Sequence, residues 1–298
     1  TMFLLPTHSD EEPQKFIDYI NDEVLTENIV MSGTPLLIKN RLNEKIDDIF
    51  HRCWDEDLSE GDQYQLESDA ENLVKEYGAD NNKVTANDKI SFEIEEGEFV
   101  VILGPSGAGK STLLNIIGGM DSATSGSINV FGKEIVGLND KELTKYRRED
   151  IGFVFQFHYL LKEFTALENV LMPALINKKF NKKEVREKAM ELLELVGLSE
   201  RVKHKPLELS GGEKQRVAIA RSMINDPEII LADEPTGNLD EVNEKIVIDI
   251  LTQLHEEGST IIVVTHDLEV GDVAERKIIL EYGKIVNDID QKQYGKKK

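Results

Sequence analysis

The chain has 298 residues, room for one large or two modest domains, with 40% hydrophobic and 6% aromatic side chains, the balance of a globular protein. Its formal net charge of −22 argues against nucleic acid as a partner, because phosphate backbones demand a basic face. A single cysteine, Cys53, excludes an intrachain disulfide, and no apolar run approaches the roughly 20 residues that span a bilayer, so a reducing, cytosolic setting is expected.

Residues 1–67 hold 16 acidic and 5 basic side chains, half of the whole negative excess in under a quarter of the length, and so read as a separate piece. Two helices are predicted there. Pro13 stands behind Ser9 and Asp10 with Phe16, Ile17, Ile20 and Val24 on one face, and Thr34-Pro35 is an N-cap followed by an N1 proline ahead of Leu42, Ile46, Ile49, Phe50 and Cys53. The segment fits a small helical appendage, a regulatory or partner-binding extension, or a frayed terminus.

From Ser68 onward, strands alternate with helices. Phe99–Leu103, Ile229–Ala232 and Ile261–Val264 are short continuous apolar runs, each ending in polar residues. Such runs predict a parallel sheet with helices over both faces, and functional groups gather at the carboxyl ends of its strands. Lys277–Val286 predicts a hairpin turning at Gly283, and the Lys296-Lys297-Lys298 tail reads as solvated.

The first strand runs into Gly104-Pro105-Ser106-Gly107-Ala108-Gly109-Lys110-Ser111-Thr112, a match to G-x-x-x-x-G-K-[ST] with the helical pattern Leu113–Ile117 behind it. Gly107 and Gly109 let the backbone curl so that successive N–H groups face a nucleotide's phosphates. Lys110 then reaches the β- and γ-phosphates, and the Ser111 hydroxyl ligates Mg²⁺. Asp233 and Glu234 close the second strand, where the aspartate would hold Mg²⁺ through water and the glutamate would polarise an attacking water. His266 follows the third strand, placed to meet a γ-phosphate, although a histidine there alone fits a structural role as well. Gln156, among the aromatics of Phe153–Phe157, would sense Mg²⁺ or the lytic water, and means little by itself.

A second glycine-bearing helix start follows a hundred residues later, Leu209-Ser210-Gly211-Gly212-Glu213, without a lysine-serine pair. Taken together, the phosphate loop at 104–112, Gln156, this signature, Ile229–Glu234, Gly237-Asn238-Leu239-Asp240 and His266 resemble, in order, the motifs of the nucleotide-binding subunit of ABC transporters. The resemblance covers about 68–298. It implies a P-loop NTPase α/β fold with an antiparallel β edge subdomain and an inserted helical subdomain near 146–224. It also implies that Tyr77 stacks on adenine, that ATP and Mg²⁺ are bound, and that two copies dimerise head to tail. Each ATP would then lie between the phosphate loop of one copy and the signature of the other, with Asp240 in the D-loop. Closure that depends on an intact γ-phosphate is a two-state switch.

Within that family the stretches Ile151–Leu161, Thr165–Val170 and Asp233–Asp240 look like the branch serving lipoprotein release, macrolide or peptide efflux and bacterial cell division. Membrane-spanning partner subunits and a peripheral place on the inner face of the membrane follow from the likeness. Phe157, Tyr159, Leu160, Leu161 and Phe164 would line a groove for a partner's coupling helix, or pack in the core. Other readings are a soluble, non-transport ABC ATPase and a regulatory module with vestigial hydrolysis. The chain departs from the family at Ser68, Ala70 and Asn87, where apolar residues are usual, and in its appended 67 residues. A buried polar group without a partner costs about 1–3 kcal/mol.

Overall fold

The computed structural model describes residues 68–78, 82–176 and 181–291. The boundary expected after residue 67, the two helices predicted before it and the lysine tail lie outside the described residues.

The apolar runs form the central strands. β3 (Phe99–Leu103) and β8 (Thr260–Thr265) are buried at every position, and β7 (Ile229–Asp233) is buried up to its final aspartate. Strands buried on both faces belong in a sheet between helical layers. They join β6 (Ile151–Phe155), β9 (Arg276–Glu281) and β10 (Lys284–Asp290) in a six-stranded sheet of order β10-β9-β3-β8-β7-β6. The five inner-run strands are parallel, and β10 returns antiparallel on β9 through the turn expected at Gly283.

A second, antiparallel sheet has the order β2-β1-β4-β5, made of β1 (Ser68–Tyr77), β2 (Val84–Ile94), β4 (Ser125–Val130) and β5 (Lys133–Glu134). In β2, Ile90, Phe92 and Ile94 are buried at every second position, the period of a strand covered on one face. Helix α1 (Lys110–Ile117) shares one core with both sheets. Its Leu113, Leu114, Ile116 and Ile117 cluster with Leu73 and Ile90 from one and with Ile102, Leu231 and Ile262 from the other. Each such aliphatic side chain contributes about 1.5–3 kcal/mol when fully buried, so the loop ahead of α1 is held on a rigid base.

Helix α2 (Asp140–Glu149) starts in a reciprocal cap between Asn139 and Glu142. Helices α3 (Ala166–Ile176), α4 (Lys182–Leu195) and α5 (Gly211–Met223) pack on one another, and α5 also rests against β6. The span 146–224 therefore contains, besides these helices, a strand of the main sheet. Asp240 and Asp267 cap the last two helices, α6 (Glu241–Glu256) and α7 (Leu268–Val273). The fold is α/β, with the helix-covered parallel sheet expected from the strand pattern and the antiparallel β subdomain that the family resemblance implies.

Candidate functional site

Because β3, β7 and β8 are parallel and in register, Leu103 pairs with Thr265 and Asp233 with Val264. The residues that follow these strands therefore share one sheet edge: the phosphate loop, Glu234 and His266.

In the loop, Gly109 is the N-cap of α1 at φ +98°, and no side chain caps the helix. A Cβ there would fall 2.2 Å from the Ala86 carbonyl oxygen, so both conformation and space require glycine. Behind it, Asn87 is wholly buried, and its side-chain amide donates to the Gly109 carbonyl at 3.2 Å. The polar residue expected to be costly at this position thus has a partner for its amide nitrogen, which secures the last glycine of the loop, while its buried Oδ1 has none among the described residues. Ala70, the departure in β1, is buried in the core. Lys110 is 7% exposed, and its Nζ donates to the carbonyls of Gly104 at 2.8 Å and Pro105 at 3.2 Å. The ammonium is thereby held inside the ring of loop atoms, with Ala108 buried beneath and Ser106 and Gly107 exposed.

Ser111 Oγ donates to Asp233 Oδ1 at 2.9 Å. Burial pushes the Asp233 carboxyl up and neighbouring Glu234 adds to it, against the lowering by the Ser111 hydroxyl and Lys110. Two hard oxygen donors beside a phosphate loop suit Mg²⁺, which keeps water and phosphate oxygens as its other ligands. Among the described residues no larger cluster of metal-binding side chains is present.

Glu234 sits in the left-handed region at φ +45°, a conformation that costs about 1–3 kcal/mol for a non-glycine residue and gathers at functional sites. Its surroundings hold it there. The Glu234 N–H donates to Val264 O at 2.9 Å, Thr265 Oγ1 donates to Oε2 at 2.8 Å, and His266 Nδ1 lies 2.9 Å from Oε1 and 3.0 Å from Oε2. Lys110 Nζ stands 3.8 Å from Oε1. An ammonium, a hydroxyl and an imidazole together fix this carboxylate at the sheet edge.

Gln156 lies one residue beyond the Phe155–Asp233 pair. It meets the loop after β7: its Nε2 is 3.5 Å from Asn238 Oδ1, and its carbonyl accepts from Asn238 Nδ2 at 3.3 Å. The described hydrogen bonds of Gln156 are thus with Asn238 and not with Asp233 or Ser111.

At the signature, Leu209 is buried and Ser210 caps α5 in a reciprocal box. Glu213 N–H donates to Ser210 Oγ at 3.2 Å, and Ser210 N–H donates to Glu213 Oε2 at 2.8 Å. Arg201 Nε donates to Glu213 Oε1 at 2.9 Å. Ser210 and Gly211 are exposed, whereas Gly212 is buried: a Cβ on it would fall 1.9 Å from Asn243 Oδ1 in α6. Among the described residues no hydrogen bond or ion pair joins 209–213 to 104–112.

Tyr77 is 43% exposed. Its hydroxyl donates to Asp121 Oδ2 at 2.7 Å and also bonds Thr112, while Lys75 Nζ lies 4.8 Å from the ring centroid and donates to Asp121 Oδ1 at 2.6 Å. One ring face is braced by a cation held in place by Asp121. Phe157, Tyr159, Leu161 and Phe164 are exposed, the first two at 63% and 68%, and Leu160 is half-buried. Core packing therefore does not explain the four exposed ones.

Thr265, Lys75, Asp121 and Asn243 did not stand out in the sequence, and Asn238 stood there only as a member of the Gly237–Asp240 stretch. Thr265 had a usable signal, as the residue between a buried strand and His266. Asn238 and Asp121 act through contacts 82 and 44 residues apart, Lys75 is held by Asp121 46 residues away, and Asn243 also meets a glycine on another helix.

Comparison with known proteins agrees with this geometry. The family model described as ABC transporter matches residues 87–237. A lipoprotein-releasing system ATP-binding protein of Treponema denticola is 51% identical over 204 residues, covering 68% of this chain and 90% of that protein. A macrolide export ATP-binding/permease protein of Bdellovibrio bacteriovorus is 48% identical over 221 residues, 74% of this chain and 33% of that longer protein. Among solved structures, a dimeric post-hydrolysis state of the ATP-binding cassette MJ0796 with ADP and Pi aligns at TM-score 0.70 and 42% identity, covering 75% of this chain and 98% of that one. No helix among the described residues is long and apolar enough to cross a membrane. The chain belongs to the ABC transporter family, as an ATP-binding and ATP-hydrolysing cassette.

Proposed function

We propose that two copies of this chain stack head to tail around two ATP molecules and, through integral membrane subunits, turn closure and release of that dimer into work at the inner face of the membrane. The transport would be of the lipoprotein-, peptide- or drug-export type, the branch to which the named relatives belong. The observation that carries the reading is the split chemistry of the chain. Lys110, Glu234 and His266 converge at one sheet edge, while the signature presents an exposed, capped helix start with no bond to that edge.

In this reading the adenine stacks on Tyr77, and the loop from Gly104 to Thr112 wraps the phosphates. Lys110 faces the terminal phosphates. Ser111, Asp233 and Gln156 would hold Mg²⁺, which would neutralise phosphate charge when bound. Glu234 accepts a proton from water as the water oxygen bonds to the γ-phosphorus and the bond to the bridging oxygen breaks, releasing ADP and phosphate. His266 steadies the γ-phosphate and, through Nδ1, the Glu234 carboxylate. Ser210, Gly211, Gly212 and Asp240 complete the pocket of the other copy. The exposed Phe157, Tyr159, Leu161 and Phe164 take a helix of the membrane subunit, since four large apolar side chains left exposed between residues 157 and 164 suit a partner surface.

Glu234→Gln tests this. The variant keeps ATP binding, loses turnover and accumulates as an ATP-bound dimer, read by light scattering at saturating MgATP. Monomers alone under those conditions would remove the shared pocket.

A further inference from the structure

We infer that Asn243 is a positioning residue that makes the signature helix start and the Asp240 loop of one chain a single mechanical unit. The inference rests on the reading above, in which both of those segments face the partner copy's nucleotide.

Asn243 is the third residue of α6, whose N-cap is Asp240. Its backbone N–H donates to Asp240 Oδ1 at 2.9 Å, and its side-chain Nδ2 donates to Oδ1 at 2.9 Å and Oδ2 at 2.8 Å. An exposed aspartate that would otherwise sample several rotamers is thus clamped through both carboxylate oxygens. Those donors, the Asn243 backbone first, hold the Asp240 carboxyl below the usual carboxylate range. The other face of the same amide looks at α5. Asn243 Oδ1 accepts from Arg216 Nη1 at 3.4 Å, and it occupies the space that a side chain on Gly212 would need, 1.9 Å from the ideal Cβ.

An amide is the group that fits this place. It offers donors to a carboxylate on one side and an acceptor to a guanidinium on the other. Aspartate would set two carboxylates against each other, and leucine would satisfy neither neighbour. The second signature glycine accordingly has a requirement inside its own chain, separate from any exposed N–H group. Displacement of the α5 start carries Asp240 with it, because the contact at Gly212 is steric and interior packing does not yield smoothly.

The test is a double-mutant cycle on the full chain, comparing Asn243→Ala, Asp240→Ala and the double variant by phosphate release and by calorimetric ATP binding. If Asn243 acts through Asp240, Asn243→Ala lowers kcat about tenfold by misplacing that loop, while ATP affinity at the phosphate loop stays within about twofold. The double variant is then no slower than Asp240→Ala alone, the mark of coupled residues. Additive losses in the cycle, or ATP affinity falling in step with turnover, would overturn the assignment. Should Asn243→Ala fail to fold, Asn243→Ser, which keeps a short donor at the same helix position, carries the same cycle. The shared pocket is read separately, from the scattering of Glu234→Gln. A monomeric Glu234→Gln beside a non-additive cycle would discard the second copy and retain Asn243 in its role.

Discussion

Two helix starts in this chain look alike in glycine content and differ in how their backbone donors are used. At α1 the cap is a left-handed glycine without a side-chain acceptor, and a buried lysine sits within the loop. At α5 the cap is a serine in a reciprocal box with Glu213, whose charge is answered by Arg201. The first start leaves its N–H groups for a ligand and supplies a cation as well. The second is satisfied largely from within, so it keeps its shape whether or not an anion is present. A pocket that must hold nucleotide through a cycle needs the first kind. In the proposed dimer, a surface that meets the other copy's phosphate transiently and must survive its loss would need the second.

The comparison is broken most severely at Lys110. Lys110→Ala removes the cation from the α1 loop and should cost most of the ATP affinity and about 10²–10³ in hydrolysis rate, the loss typical of a preorganised charge-stabilising group. Unchanged calorimetric ATP binding would refute the assignment of the loop. A smaller effect is expected at α5. Gly212→Ala drives a methyl group against Asn243. It should lower turnover by about tenfold through misplacement, with ATP binding retained. Equal loss of binding at the two helix starts would mean that they do not divide the work.

The smallest effect lies at the starts of α6 and α7, where carboxylates meet one another instead of a phosphate. The Glu244 carboxyl is pushed up to about 7, first by its hydrogen bond with Asp267, then by burial and by the charges of Asp267, Glu269 and Glu241. The folded chain therefore holds a proton at a pH where the unfolded chain has released it. The stability this contributes is complete below the ordinary 4.5 and is lost as pH rises through about 7. Thermal midpoints of the parent should fall relative to those of Glu244→Gln across that window. Parallel curves for the two proteins would contradict the shared proton.

Much of the site was legible beforehand because its signals are local. A glycine-rich loop between a buried strand and a helix, and an acidic pair at a strand end, each depend on residues a few positions apart, and the register of β3, β7 and β8 then brings them to one edge. Asn87 read as a misfit in a strand, since its partner, the Gly109 carbonyl, is 22 residues away. Gly211 and Gly212 stand side by side in the motif, and nothing near them in the chain separates the exposed one from the buried one.

What the chain itself determined is therefore its chemistry and its layers: which residues can hold phosphate, magnesium and a reactive water, and which runs must be covered on both faces. Those properties follow from side-chain type and backbone period. The tertiary structure alone decided which groups brace the reactive ones: Thr265 and His266 on Glu234, Asp121 and Lys75 on Tyr77, and Asn243 between Asp240 and Gly212. Apart from the short-range contacts of Lys75 with Tyr77 and of Asn243 with Asp240, such choices turn on ångström-scale approaches between distant segments, and no periodicity or propensity along the chain carries that information.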